Sequence, residues 1–284
     1  MHGLKNIAVM NNIDLLKQDL KNLFVKSTKT QIRSYAIKGF FILFTTLFLM
    51  EFRDYTRTQK LMGGIISKIV TLPNEGGEVG LVKNTLGAVY ALSEPRTDFF
   101  RGDLNYSDDY LEAFFSGSGA CGRYSQFACW VLTEMGYSCR MVQQRVNGTW
   151  GGHISLEANL NRFNEAMPAR WMLVDPLFNH VFLDSQNREL SAESVIANWP
   201  QIIPQLPSDY PEKYNYQQGL RYTNWDKFGL FTRTIYRVGK FLHLPMDTFS
   251  YRAVFIKQHF WNLIIYGFGL VLTIFLGLRA RQKK

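Results

Sequence analysis

Hydrophobic and polar positions divide the chain into two apolar runs, their charged flanks and a long mixed middle. Nineteen residues from Phe260 to Leu278 (FWNLIIYGFGLVLTIFLGL) carry no charge. That is close to the ~20 that cross a hydrocarbon core, and Trp261 and Tyr266 stand toward one end, where interfacial aromatics belong. The run from Tyr35 to Met50 is shorter and includes Lys38, whose stem can carry its ammonium to an interface. We read transmembrane helices at 35–51 and 260–278, with a buried or interfacial helix as the other reading of the first. Within 1–34, Ile13, Leu16, Leu20, Leu23 and Phe24 fall at helical spacing among Lys17, Lys21 and Lys26. Such a stretch suits an anionic inner leaflet, or a short helix with no lipid role.

The middle, 52–258, reads as one domain. NEGGEVG (Asn74 to Gly80) is a loop, Leu81 to Leu92 a helix broken at Glu94-Pro95, and Ser107 caps a second helix ended by SGSG. CGRYSQFACWVLTEMG places Phe127, Ala128, Val131, Leu132 and Met135 on a buried helix that opens at Cys121 and closes with Gly136 at C′. SCRMVQQRV, HISLEA and RWMLVD follow as strands, joined by NGTWGG and by a polar loop from Asn161 to Ala169. A helix followed by an antiparallel meander predicts an α+β fold. From Leu183 to Tyr251 the pattern gives one helix, Ser191 to Trp199, stopped by Pro200. A run through Pro204, Pro207, Tyr210, Pro211, Tyr214 and Tyr216 then reads as a loop packed over the domain or as a substrate-facing cover.

The formal charge of +9 changes the picture by where it sits. Residues 1–50 hold seven Lys/Arg and two Asp, and 259–284 hold four Lys/Arg and no acid, which leaves 21 of each sign in the middle. The excess lies beside the apolar runs and not on the domain, which argues against nucleic acid as a partner. Under the positive-inside rule both termini are cytoplasmic, including a basic tail at 279–284, and the middle lies outside the membrane. Arg53, Arg57, Lys60 and Lys68 weaken that asymmetry at the first run. A cleaved signal peptide fits poorly, because about 35 residues precede the apolar run and no small-residue cleavage site follows it.

Three residues carry candidate chemistry. A helix N-terminus stabilises the thiolate form in which a cysteine is nucleophilic, and Cys121 opens a helix between Gly119 and Gly122. A thiol attacking an acyl group needs a base, and the base needs a group that holds its tautomer. His153 begins one predicted strand and Asp175 ends the next, so antiparallel pairing brings them together; His180 and Asn179 are the competitors for the two roles. Cys129 and Cys139 read as packed thiols or as a disulfide pair. Without C-x-x-C or H-x-x-x-H spacing no metal is expected, and no cofactor.

The blocks GACGRYSQFACWVLTEMGYSCRMV, GGHISLEA and RWMLVDPLFN resemble the three motifs of the transglutaminase-like superfamily over Gly119 to Asn179. The arrangement is also similar to papain-like peptidases and arylamine N-acetyltransferases. The resemblance implies a helix bearing the cysteine packed on an antiparallel sheet, with a reactive core at 105–182. It further implies acyl transfer, amide or ester hydrolysis, or transamidation through a thioester, in a membrane-anchored member of bacterial type. Related enzymes often place a second oxyanion donor upstream of the cysteine. No Trp precedes Cys121 here, and Tyr90, Asn105 and Tyr106 stand as candidates. Tethering points to an envelope substrate: a peptide, a cell-wall component or an acylated polysaccharide. The alternative is a non-catalytic membrane protein that uses the same groove as a binding scaffold in an envelope or polysaccharide-export assembly.

Overall fold

Two long apolar helices and a mixed middle bury their surfaces separately. The chain accordingly sorts into two packing units, Met1–Arg57 with Gln258–Lys284, and Thr58–Lys257. The structure, a computed structural model, describes residues 3–93, 120–162, 167–227 and 229–282. In chain order the helices are α1 (Gly3–Val70), α2 (Gly77–Leu92), α3 (Cys121–Glu134), α4 (Ala192–Ala197), α5 (Trp199–Ile202), α6 (Leu230–Phe241), α7 (Tyr251–Val254) and α8 (Gln258–Arg281). The strands are β1 (Ser138–Val146), β2 (Thr149–Asn159), β3 (Trp171–Asp175), β4 (His180–Val181) and β5 (Leu220–Arg221).

In the first unit, α1 and α8 are long and apolar enough to cross a membrane. No proline interrupts the 68 residues of α1. The two pack antiparallel: Ile37 faces Gly277, Phe44 faces Gly269, Phe48 faces Gly267, and Glu51 bonds His259. A methyl at position 269 would stand 2.5 Å from Phe44 Cε1, so glycine permits this close approach, as small residues do between membrane helices.

In the second unit, a five-stranded antiparallel sheet has the order β4-β3-β2-β1-β5. The β1–β2 connection is tighter than expected: Asn147 and Gly148 alone make the turn, with φ of 49° and 79°. Positive φ at both central positions is what Asn-Gly tolerates and what matches the strand twist. Period-two alternation then assigns the two faces. Met141, Ile154, Leu156, Ala158, Met172 and Val174 form an apolar face under α3, joined by α2 and by Met62, Ile65 and Ile69 from the end of α1. The other face carries Val142 and Leu173 but also Gln144, His153, Ser155, Glu157 and Asp175, all buried. Its roof is α4, α5 and the aromatic segment through Tyr222.

Buried charge on that second face is satisfied. Glu157 pairs with Arg140 at 2.6 Å and accepts from Tyr222 Oη and the backbone N–H of Ala192. Arg140 in turn lies between the Trp171 and Tyr222 rings, 4.0 and 4.2 Å from their centroids. Pro200 corrects the sequence reading. It sits in the first turn of α5, where its missing N–H has no intrahelical partner to lose, so it helps to start a helix instead of stopping one. Upstream of it, α4 begins at Ser191, whose hydroxyl accepts from the N–H of Ser194. Helix α6 has no counterpart in the sequence expectation, and the expected helix from Ser107 lies outside the described residues.

Candidate active site

Cys121 is the first residue of α3, on an extended Ala120 that breaks the chain direction. Ser125 Oγ, one turn on, donates to the Ile154 carbonyl at 2.8 Å, pinning the start of α3 to β2 beside His153. Glycine eases the approach: a Cβ on Gly122 would lie 3.1 Å from Ile154 Cδ1 and 3.4 Å from an Arg252 guanidinium nitrogen. Arg252, from α7, thus sets its positive charge over the first turn that carries the thiol.

His153 is aimed by a kink in the hairpin. The register slips between Gln144 and Arg145, Gly151 takes φ 76°, and a Cβ on Gly152 would stand 2.7 Å from Val146 Cβ. Such a bulge re-aims the side chains that follow it. Asp175, the last residue of β3, receives His153 Nε2 at 2.6 Å on Oδ2, and both side chains are fully buried. The Leu177 N–H donates to Asp175 Oδ1, which fixes the carboxylate plane. Of the two histidines considered, His153 makes this contact. His180 stands on β4 against the Phe182 ring, with burial pushing its pKa down and Asp175 only partly offsetting that. Asn179 is exposed in a turn with φ 49°.

For His153, burial alone would lower the pKa. The charge and hydrogen bond of Asp175, followed by the Cys121 thiol, more than reverse it and raise the imidazole to about 10. Among the described residues Nδ1 has no hydrogen-bond partner of normal geometry, although the thiol lies close enough to strengthen its hold on a proton.

The proline- and tyrosine-rich run supplies what the sequence pattern could not assign. Tyr210 Oη donates to Asp175 Oδ2 at 2.9 Å and lies 3.3 Å from Tyr216 Oη, which in turn donates to Ser155 Oγ at 3.3 Å. Tyr214 stacks on the His153 imidazole, 4.1 Å between centroids at 16°. Burial, then the Cys121 thiol and Asp175, push the Tyr214 phenol up, so its hydroxyl stays a donor. Of the two sequence readings for this segment, packing over the domain describes what it does. The only available signal was its tyrosine density.

Gln144 lies directly across the hairpin from His153, and its amide is buried with neither atom partnered among the described residues. Of the oxyanion candidates, Tyr90 stands half-buried near the end of α2, while Asn105 and Tyr106 lie outside the described residues. Cys129 and Cys139 are free thiols; burial, then contact with Cys139, keeps Cys129 protonated. No group of His, Cys, Asp or Glu among the described residues could hold a metal ion.

Comparison with known proteins gives one finding. The family model described as the transglutaminase-like superfamily matches residues 82–176, beginning within α2 and ending one residue past Asp175. No curated protein and no solved structure gives a match. A cysteine-bearing helix packed on an antiparallel sheet and a family match over the same residues agree: residues 82–176 of this chain are a transglutaminase-like superfamily domain.

Proposed function

We propose that the chain is a membrane-anchored, cysteine-dependent acyl-transfer enzyme, in which Cys121 is the nucleophile, His153 the base and Asp175 the carboxylate that orients it. Superfamily members are commonly cysteine-dependent enzymes. The observation that carries the reading is the buried His153–Asp175 pair at 2.6 Å with the Cys121 thiol against the same imidazole. A helix start, a base and an orienting carboxylate converge there as nucleophilic catalysis requires.

In this mechanism the thiol proton passes to His153 Nδ1 before attack, the transfer that the raised pKa of the imidazole favours, and Cys121 Sγ then bonds to the acyl carbon of an amide or ester. The tetrahedral oxyanion collapses, the carbon–nitrogen or carbon–oxygen bond breaks, and the leaving group takes that proton. Water, or an amine in a transamidase, then gives a proton to His153 and attacks the thioester; the carbon–sulfur bond breaks, and Cys121 Sγ takes that proton back as the product leaves. Asp175 holds Nε2–H throughout, and the Tyr210 hydroxyl holds Asp175. The unpartnered Gln144 amide, on the same sheet face as His153, is available to a polar group of the substrate. The two candidate spans and the basic flanks support cytoplasmic termini with the domain outside. The substrate class is then an envelope-associated peptide, cell-wall component or polysaccharide-linked acyl group.

Burial of the reactive side chains favours a second reading, a binding scaffold: His153 is fully covered and Cys121 is 9% exposed. Iodoacetamide labelling of the intact protein at pH 6 separates the two. An activated pair labels at Cys121 faster than at Cys129 or Cys139, by about tenfold or more, and His153→Ala abolishes the advantage. Labelling that is insensitive to His153→Ala would overturn the enzyme.

A further inference from the structure

Among the described residues, helix α6 is partnered on one side only. Thr232 bonds the Trp225 carbonyl, Tyr236 packs on the Trp225 ring, and Gly239 fits against Met246 so tightly that a Cβ would overlap its sulfur. These three residues define the inner side. At 3.6 residues per turn, Leu230, Phe231, Ile235, Val238, Phe241 and Leu242 fall within one arc of roughly 140° on the other side, with Thr234 among them bonding its hydroxyl back to the Leu230 carbonyl. All six are exposed, Phe241 at 82% and Leu230 at 78%. Between this arc and the packed side lie Arg233, Arg237 and Lys240, and the helix contains no acid. Arg233 and Lys240 are held at its edge by Asp226 and Asp247.

A soluble surface rarely displays an apolar strip of this size, and where it does the strip has an occupant. Two observations identify this one. The strip is flanked by cations on a short helix whose remaining side is packed, the composition of a helix that lies in a lipid headgroup layer. The chain also runs only 17 residues from Phe241 to the start of α8, one of the two helices able to cross a membrane.

We infer that α6 is an interfacial helix: its apolar strip inserts at the acyl–headgroup boundary, with Arg237, between the ion-paired Arg233 and Lys240, meeting anionic lipid phosphates. This rests on α8 spanning the bilayer but not on the chemistry of Cys121. The consequence is a domain held by a lateral contact as well as by its tethers, with the roof over the His153–Asp175 pair and the membrane-seated helix separated by only 13 residues of chain, Tyr216 to Gly229.

The test is depth-dependent quenching in the full chain, reconstituted in nanodiscs of phosphatidylcholine with or without phosphatidylglycerol. An NBD label is placed by Phe231→Cys or Val238→Cys in a chain carrying Cys121→Ser and Cys139→Ser. Ile265→Cys reports the span and Gln201→Cys reports water. The expected result is blue-shifted emission at 231 and 238, quenched by shallow-brominated lipid several-fold more than at 201, and more so with phosphatidylglycerol present. Quenching at 265 but not at 231 or 238 would overturn the inference while leaving the span intact; no quenching at 265 would remove the membrane reading itself. Blue-shifted emission at 231 without bromine quenching would assign the strip to a second copy or another protein surface, and so overturn it too. Carbene footprinting of the unsubstituted chain in the same nanodiscs, with Phe231 and Phe241 expected to be protected relative to detergent-free aqueous positions such as Gln201, checks that the substitutions did not create the result.

Discussion

The two faces of the central sheet are equally buried and differ in everything else. Under α3, Phe127, Ala128 and Val131 share one buried cluster with Ile154, Leu156 and Ala158, an apolar packing with no directional demands. On the opposite face the same strands present His153, Ser155, Glu157 and Asp175, which stay buried because each has a named partner: Asp175, Tyr216, Arg140 and Tyr210 respectively. The comparison teaches that alternation along a strand records chemistry, not exposure. A polar period-two set usually marks a solvated face; here it marks a second interior built from hydrogen bonds. Burial in that interior strengthens each of those bonds and makes any missing partner expensive.

The sharpest way to break the comparison is functional. Cys121→Ala should abolish acyl-enzyme formation, followed by intact-mass detection of a thioester with an activated ester, and lower turnover by about a thousandfold or more. Leu156→Ala, on the apolar face, should destabilise by roughly 2–5 kcal/mol in a denaturant titration yet leave the reactivity of the folded fraction unchanged. Asp175→Ala should cost a similar amount, about 3–5 kcal/mol, because it strands a buried imidazole, and it should also remove the reactivity. Equal loss of labelling in Leu156→Ala and Asp175→Ala would erase the distinction between the faces.

The pH dependence sharpens the same contrast. The folded pKa of His153 is raised above its ordinary 6.5, so the folded state binds the proton more tightly than the unfolded chain. The resulting stability is fully present below about pH 6.5 and is lost as pH climbs toward about 10. Thermal unfolding from pH 6 to 10 should show this loss in wild type and show it reduced in His153→Gln; parallel profiles would sink it. The smallest effects come from the roof. Tyr210→Phe removes one donor to Asp175 and should cost about 0.5–1.5 kcal/mol. Gln144→Leu should be neutral or stabilising in the same titration, since it deletes an unpartnered buried amide, while reducing kcat/KM if that amide meets the substrate.

Much of this was legible in local pattern. The cysteine helix from Cys121, strand β1 over Ser138–Val146 and the adjacency of the strands bearing His153 and Asp175 follow from periodicity and turn residues, since each depends on a few neighbours in the chain. The strongly apolar run at 260–278 likewise falls within α8. Pro200 misled because the same residue ends one helix or begins another depending on what packs around it.

By itself, then, the sequence determined the elements near Cys121 and the two apolar helices, because backbone capping, period and transfer free energy act over a few residues. Tertiary structure alone decided three things: that the tyrosines at 210, 214 and 216 close over His153 and Asp175, that Arg252 reaches the first turn of α3, and that α6 turns its apolar side outward. Each is a contact between residues tens of positions apart, or the lack of one. Such contacts are fixed by the shape that remains once the sheet has formed, which no local pattern encodes.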